Sequence, residues 1–193
     1  MILALARRAQ AIVSRPGETW PTIAAERMPP AALVILYVVP LSLIPALAWM
    51  IGVLRGGYYI TIPGFGEVVP LARIVTAGVL VVVSSIFSVA VLATAFWLLA
   101  PLYGVRRNIH GAFKVAAYGT TPVWIAGPVL IVPTLTLFMA AAAFYALYLY
   151  VSGLEHVLGV APGDGAEFVG IAMVVLIAAS ILFGAALSMW GVL

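Results

Sequence analysis

The hydrophobic positions of this chain fall in long uninterrupted runs, not in alternation. Ala31 to Leu54, Ile74 to Val105, Val115 to Leu154 and Phe168 to Leu193 contain no Asp, Glu, Lys, Arg or His. Their lengths are 24, 32, 40 and 26 residues. A helix needs about 20 apolar residues to cross about 30 Å of hydrocarbon, so each run is long enough to span. The 40-residue run is too long for one crossing, because at 1.5 Å per residue it would extend about 60 Å. It also carries Pro122, Gly127-Pro128 and Pro133. We read it as a helical hairpin: a span over about 115–132, a turn near Pro133-Thr134, and a span over about 134–151. The pattern therefore predicts an all-α, polytopic integral membrane protein. Its transmembrane domain, 31–193, is a five-span helical bundle with spans near 31–54, 74–103, 115–132, 134–151 and 168–192. A single long kinked helix in the third run is the alternative, and would give four spans.

Residues 1–30 form an amphipathic segment ahead of the first span. Ile2, Leu3, Leu5, Ile12 and Val13 surround Arg7, Arg8 and Gln10. This is the pattern of an interfacial helix, or of a basic tail that only orients the first span. In residues 15–26, RPGETWPTIAAE, Pro16 suits a helix start and Glu18 suits the positive end of its dipole. Trp20 is expected to anchor in the headgroup layer with Ile23. Ala9 to Val13 is too short for the apolar core of a cleaved signal peptide, so the first span is expected to insert the chain. The connection from Arg55 to Arg73 holds Gly56, Gly57, Pro63, Gly64, Gly66 and Pro70, and Tyr58 to Ile62 could form a short strand.

Composition supports the spans. Of 193 residues, 65% are hydrophobic and 8% are charged, against roughly 25% charged in soluble domains. This excludes a soluble enzyme, a nucleic-acid-binding domain and a disordered tail. Cysteine is absent, which removes thiol chemistry and Cys-based metal sites. The net charge of +3 is informative through its placement. With the N-terminus inside, Arg7, Arg8, Arg15, Arg27, Arg106, Arg107 and Lys114 are cytoplasmic, and only Arg55 and Arg73 lie across the membrane. By the positive-inside rule the N-terminus is cytoplasmic and the C-terminus periplasmic.

Candidate chemistry is sparse. No ionisable group lies in a span core, which argues against an ion-coupled transporter. Pro40, Pro45, Pro122 and Gly127-Pro128 mark helix breaks or ordinary kinks. His156 with Glu155, Asp164 and Glu167 offers carboxylates and an imidazole, but no metal-site spacing. No catalytic, cofactor or metal residues are assigned. Small residues form a stripe on the second span through Ala77, Val81, Ser84, Ser88, Val91 and Ala95, and on the last through Ser180, Gly184 and Ser188. Such stripes suit close helix packing, within the bundle or between copies. The polar material of the spans is aromatic and hydroxylic: Tyr118, Thr120 and Thr121 on the third, and Tyr145, Tyr148, Tyr150 and Ser152 on the fourth. Tyr145 and Tyr148 share a face, and a Tyr/Thr hydrogen-bond cluster is expected between the two spans.

AYGTTPVW (Ala117 to Trp124), Gly127, the Pro133 turn and FYALYLYVSGLEHVLG (Phe144 to Gly159) resemble the Yip (Ypt/Rab-interacting protein) family, in its bacterial inner-membrane branch. RPGETWPTIAAE and YVVPLSLIPALAWMIG (Tyr37 to Gly52) match it as well, so the resemblance covers nearly the whole chain. It implies five spans with a cytoplasmic N-terminus. It also implies motif residues Thr19, Trp20, Tyr118, Gly119, Thr121, Pro122, Trp124, Tyr145, Tyr148 and Gly153, as structural or interaction determinants. The chain lacks the longer N-terminal region of eukaryotic members and its Asp-Leu-Tyr-Gly-Pro-type motif, so GTPase binding is not carried over. The expected role is a non-enzymatic scaffold or membrane-organising protein. Its partners would be the lipid bilayer, further copies of itself or other membrane proteins, with no nucleic acid. A small channel, transporter or lipid-handling protein with a site between spans one, three and four is the alternative.

Overall fold

The computed structural model describes residues 2–55 and 70–189, and these are helical and turn segments only. The connection at Gly56, Gly57, Pro63, Gly64 and Gly66, the strand expected over Tyr58 to Ile62, and the last residues of the fifth span lie outside the described residues. Helix α1 (Ile2–Ser14) turns into α2 (Pro16–Ala25). A short α3 (Pro30–Leu33) passes through a π turn (Val34–Val38) into α4 (Val39–Leu54), making one rod over Pro30–Leu54. Helix α5 (Leu71–Leu99) ends in a 3-10 turn at Ala100–Tyr103. Then come α6 (Ile109–Gly119), α7 (Thr121–Ile125), 3-10 turns at Gly127–Ile131 and Pro133–Leu135, α8 (Phe138–Gly153) with a π turn at Leu154–Leu158, and α9 (Gly165–Met189). Four of the described helical rods are long and apolar enough to cross a membrane: Pro30–Leu54, Leu71–Tyr103, Pro133–Leu158 and Gly165–Met189.

The third expected span is not one helix. It begins earlier, at Ile109, where Asn108 accepts a hydrogen bond from the Gly111 N–H (3.0 Å), and it breaks at every proline. Pro122, Pro128 and Pro133 each open a new short turn, because proline has no N–H to continue the previous ladder. The same physics widens the first rod. Pro40 cannot donate to the helix, and immediately before it the Val39 N–H reaches back five residues to the Val34 carbonyl. The fourth expected span also shifts. Its helix starts at Phe138 and continues through the π turn to Leu158, so Glu155 and His156 sit on a helix and not in a loop. Gly159, at φ 80°, closes it in the left-handed conformation that glycine adopts without strain.

Helices α4, α5 and α8 pack around the broken α6–α7 segment, and α9 packs on α5 and α8. Helix α4 lies against α7 and the Gly127–Ile131 turn, α5 against α4, α6 and α9, and α8 against α6 and α7. The close α4 contact depends on Gly127, where a Cβ would stand 2.7 Å from the Pro45 nitrogen. The N-terminal pair packs into this bundle as well: α1 meets α7, and α2 meets α6 and α8. Ala9, Ile12, Trp20 and Ile23 are buried in the same core as Val38, Val115 and Leu149. The headgroup anchor expected at Trp20 is therefore corrected. Its indole is fully buried, because Gly153 leaves the space that it fills.

Candidate functional site

The joint between α6 and α7 is where polar side chains converge inside an otherwise apolar bundle. It lies at Thr120, where one helix stops and the next begins before Pro122. Thr120 and Thr121 are adjacent, so on a helix their side chains point about 100° apart. Each finds a different tyrosine. Thr121 Oγ1 lies 2.8 Å from the Tyr37 hydroxyl, and both residues are buried. Thr120 Oγ1 lies 2.7 Å from the Tyr150 hydroxyl and also donates back to the Ala116 carbonyl at 2.7 Å in one of its orientations. These bonds fasten α6–α7 to the Pro30–Leu54 rod on one side and to α8 on the other.

Aromatic rings extend the joint. Tyr37 stacks obliquely on Tyr118 at 4.5 Å between centroids and meets Trp124 edge-on at 6.4 Å. Both arrangements suit the ring quadrupole. Gly119 sits under the Tyr150 ring, in direct contact with it, so a side chain there would displace that ring. Tyr145 donates to the Val13 carbonyl at 2.6 Å, which pins the free C-terminal end of α1 to α8. Thr19 secures the elbow between α1 and α2 through the Arg15 carbonyl (2.7 Å) and the Ala11 carbonyl (3.1 Å).

Charge collects at one edge of this joint. Arg8 on α1 forms an ion pair with Glu26, and Glu26 also accepts from the Tyr118 hydroxyl at 3.4 Å. Lys114, buried on α6, donates to the carbonyls of Ala24 (3.1 Å) and Glu26. Arg8, Glu26, Tyr37 and Tyr118 line a cavity of about 260 Å³. Past Leu5, which lines both, a larger apolar groove of about 630 Å³ runs between α1 and α4.

The structure gathers most of the sequence-derived motif residues around this joint. Tyr118, Gly119, Thr121, Pro122 and Trp124 form it. Gly153 and Trp20 pack beside it, Thr19 shapes the elbow, and Tyr145 holds α1. Tyr148 is apart: it is 53% exposed, and its ring lies 5.6 Å from the Tyr145 ring. A Tyr/Thr cluster forms through Thr120 and Tyr150, and Tyr37 of the first rod joins it through Thr121. Arg8, Glu26, Tyr37 and Lys114 were not singled out by the sequence. Lys114 offered a signal, as a cation between apolar stretches with a bundle to enter. His156 donates through Nδ1 to the Ser152 carbonyl at 2.7 Å. Among the described residues no three His, Asp or Glu side chains come together to hold a metal.

The model of the Yip1 domain matches residues 11–188, nearly the entire chain. The chain belongs to the Yip1 domain family. No curated protein and no solved structure matches it. In this Yip1 domain, the matched region starts within α1 and ends near the end of α9, so the C-terminal end of α1 and all of α2 belong to the domain together with the bundle. The apolar helical rods make it a membrane protein.

Proposed function

We propose that this Yip1-domain protein is a non-enzymatic scaffold of the bacterial inner membrane, working through lateral helix contacts. It crosses five times, with the N-terminus cytoplasmic and the C-terminus periplasmic. The broken α6–α7 segment supplies the third crossing. Its two helices and the following 3-10 turn rise roughly 35 Å, enough for about 30 Å of hydrocarbon. Irregular backbone is tolerated at membrane depth where protein covers it, and here α4 and α8 flank it. The seven-to-two distribution of basic residues supports the orientation.

The observation that carries the scaffold reading is the outward face of α9. Val174, Ile177 and Ile181 are exposed, and Gly184 and Ser188 continue the same three- and four-residue spacing. A Cβ at Gly184 would meet nothing within 4 Å. The face combines bulky apolar groups with an open small-residue notch, the form a second transmembrane helix packs against. By contrast, the hydroxyls of Tyr37, Thr121, Thr120, Tyr150 and Tyr145 are engaged in bonds that hold the fold. Photo-crosslinking in cells tests the reading. A crosslinking side chain at Ile181 is expected to capture a defined membrane protein or a second copy, and one at Trp97, on α5, serves as the control. Capture of lipid alone at Ile181 would count against it.

A further inference from the structure

The cavity at Arg8 and Glu26 and the apolar groove beside α1 make up a single two-part site. Leu5 lines both. The cavity borders the start of the first rod, at Leu36 and Tyr37, and the groove borders the next turns, at Pro40, Leu41 and Ile44. The groove therefore continues along the rod from the charged cavity, as a lipid chain continues from its headgroup. The geometry points to a binding site for one amine-bearing zwitterionic phospholipid, with its phosphate on Arg8, its ammonium on Glu26 and an acyl chain in the groove.

The charge pattern selects this headgroup. Arg8 and Glu26 hold each other at the cavity wall, and each side chain is partly exposed, at 29% and 22%. A guanidinium presents a planar fork that matches phosphate. An ethanolamine phosphate brings an anion and a cation on one short linker. It can take both partners and leave neither charge unpaired. Tyr37 and Tyr118 line the same cavity. A phosphatidylglycerol headgroup would draw Arg8 away and bring Glu26 no ammonium in return, leaving that half-buried carboxylate with the Tyr118 hydroxyl and the nearby Lys114 charge, a poorer match. The groove suits a hydrocarbon chain and little else, since Gln10 and Ser14 are its only polar lining side chains.

This site is independent of the scaffold reading, because a protein with no protein partner can hold the lipid. The test is native mass spectrometry of the full-length protein in detergent, titrated with dioleoyl phosphatidylethanolamine or dioleoyl phosphatidylglycerol. The wild type is expected to bind one ethanolamine lipid at least tenfold more tightly than the glycerol lipid. Arg8→Gln and Glu26→Gln should each weaken that binding fivefold or more. Ala6 lines the groove and is exposed, so Ala6→Trp fills the chain site without touching the ion pair. It should lose the lipid while its melting temperature stays unchanged. Millimolar glycerophosphoethanolamine, a free headgroup, should not displace the bound lipid. Equal retention of the two lipids would overturn the assignment, as would unchanged binding in both Arg8→Gln and Ala6→Trp.

Discussion

Tyr37 and Thr121 share a buried hydrogen bond of 2.8 Å across 84 residues of sequence. It joins the π turn of the first rod to the first residue of α7, the two places where proline has interrupted a helix. Breaks that free backbone groups also bring side chains into positions a regular helix would not offer. The bond is expected to tie both irregular segments together. Tyr37→Phe and Thr121→Val should each destabilise the protein by about 1 kcal/mol, since hydrogen bonds within membranes are individually modest. The double variant should cost clearly less than the sum, measured by unfolding in mixed micelles.

Trp20 and Gly153 are expected to behave as a complementary pair. A Cβ at Gly153 would lie 2.8 Å from Trp20 Cζ2, so Gly153→Ala should cost about 1–3 kcal/mol by overpacking. Among the described residues the Trp20 indole N–H has no hydrogen-bond partner, so Trp20→Phe removes volume without breaking a bond. Combined with Gly153→Ala, it should recover much of the loss. If the double variant is no more stable than Gly153→Ala alone, the two residues do not compete for the same space.

Two glycines in helical segments should respond in opposite ways. At Gly127 a Cβ would collide with Pro45 backbone atoms at 2.7 and 2.8 Å, which cannot swing aside. Gly127→Ala is expected to lower stability by about 2–3 kcal/mol. At Gly184 there is open space, and Gly184→Ala should be neutral or stabilise the monomer by up to about 1 kcal/mol through helix propensity. Thermal melts of the two purified variants check this. If α9 packs on a partner, Gly184→Ala should also reduce crosslinking from Ile181.

The proposed orientation makes a direct topological prediction. A phosphatase reporter, active only outside the cytoplasm, should be active after Leu193 and inactive after Lys114. A four-crossing chain would place both fusions inside.

Much of the helical framework is legible in the sequence because length and hydropathy are local properties. The first rod, expected from Ala31 to Leu54, runs over Pro30–Leu54, and the second, expected over 74–103, runs over Leu71–Tyr103. The prolines of the third run also announce its interruptions, since a missing N–H acts wherever the chain goes. The boundaries near Leu158 were not legible, because a π turn extends α8 past the polar Glu155-His156 pair. Nothing in the one-dimensional pattern reports that a carbonyl ladder can widen to accommodate them.

Local pattern alone places this chain in a membrane as apolar helices, and marks where proline and glycine break them. Which polar groups meet depends on how those helices pack. Thr120 and Thr121 are neighbours in sequence, yet one faces Tyr150 and the other Tyr37, because a single helical step turns the side chain by about 100°. In the same way Trp20 went inward to Gly153, Arg8 found Glu26, and Lys114 turned to backbone carbonyls of the α2–α3 connection. Such pairings depend on the faces that distant helices present to each other, and that is a property of the packed bundle, not of any run of residues.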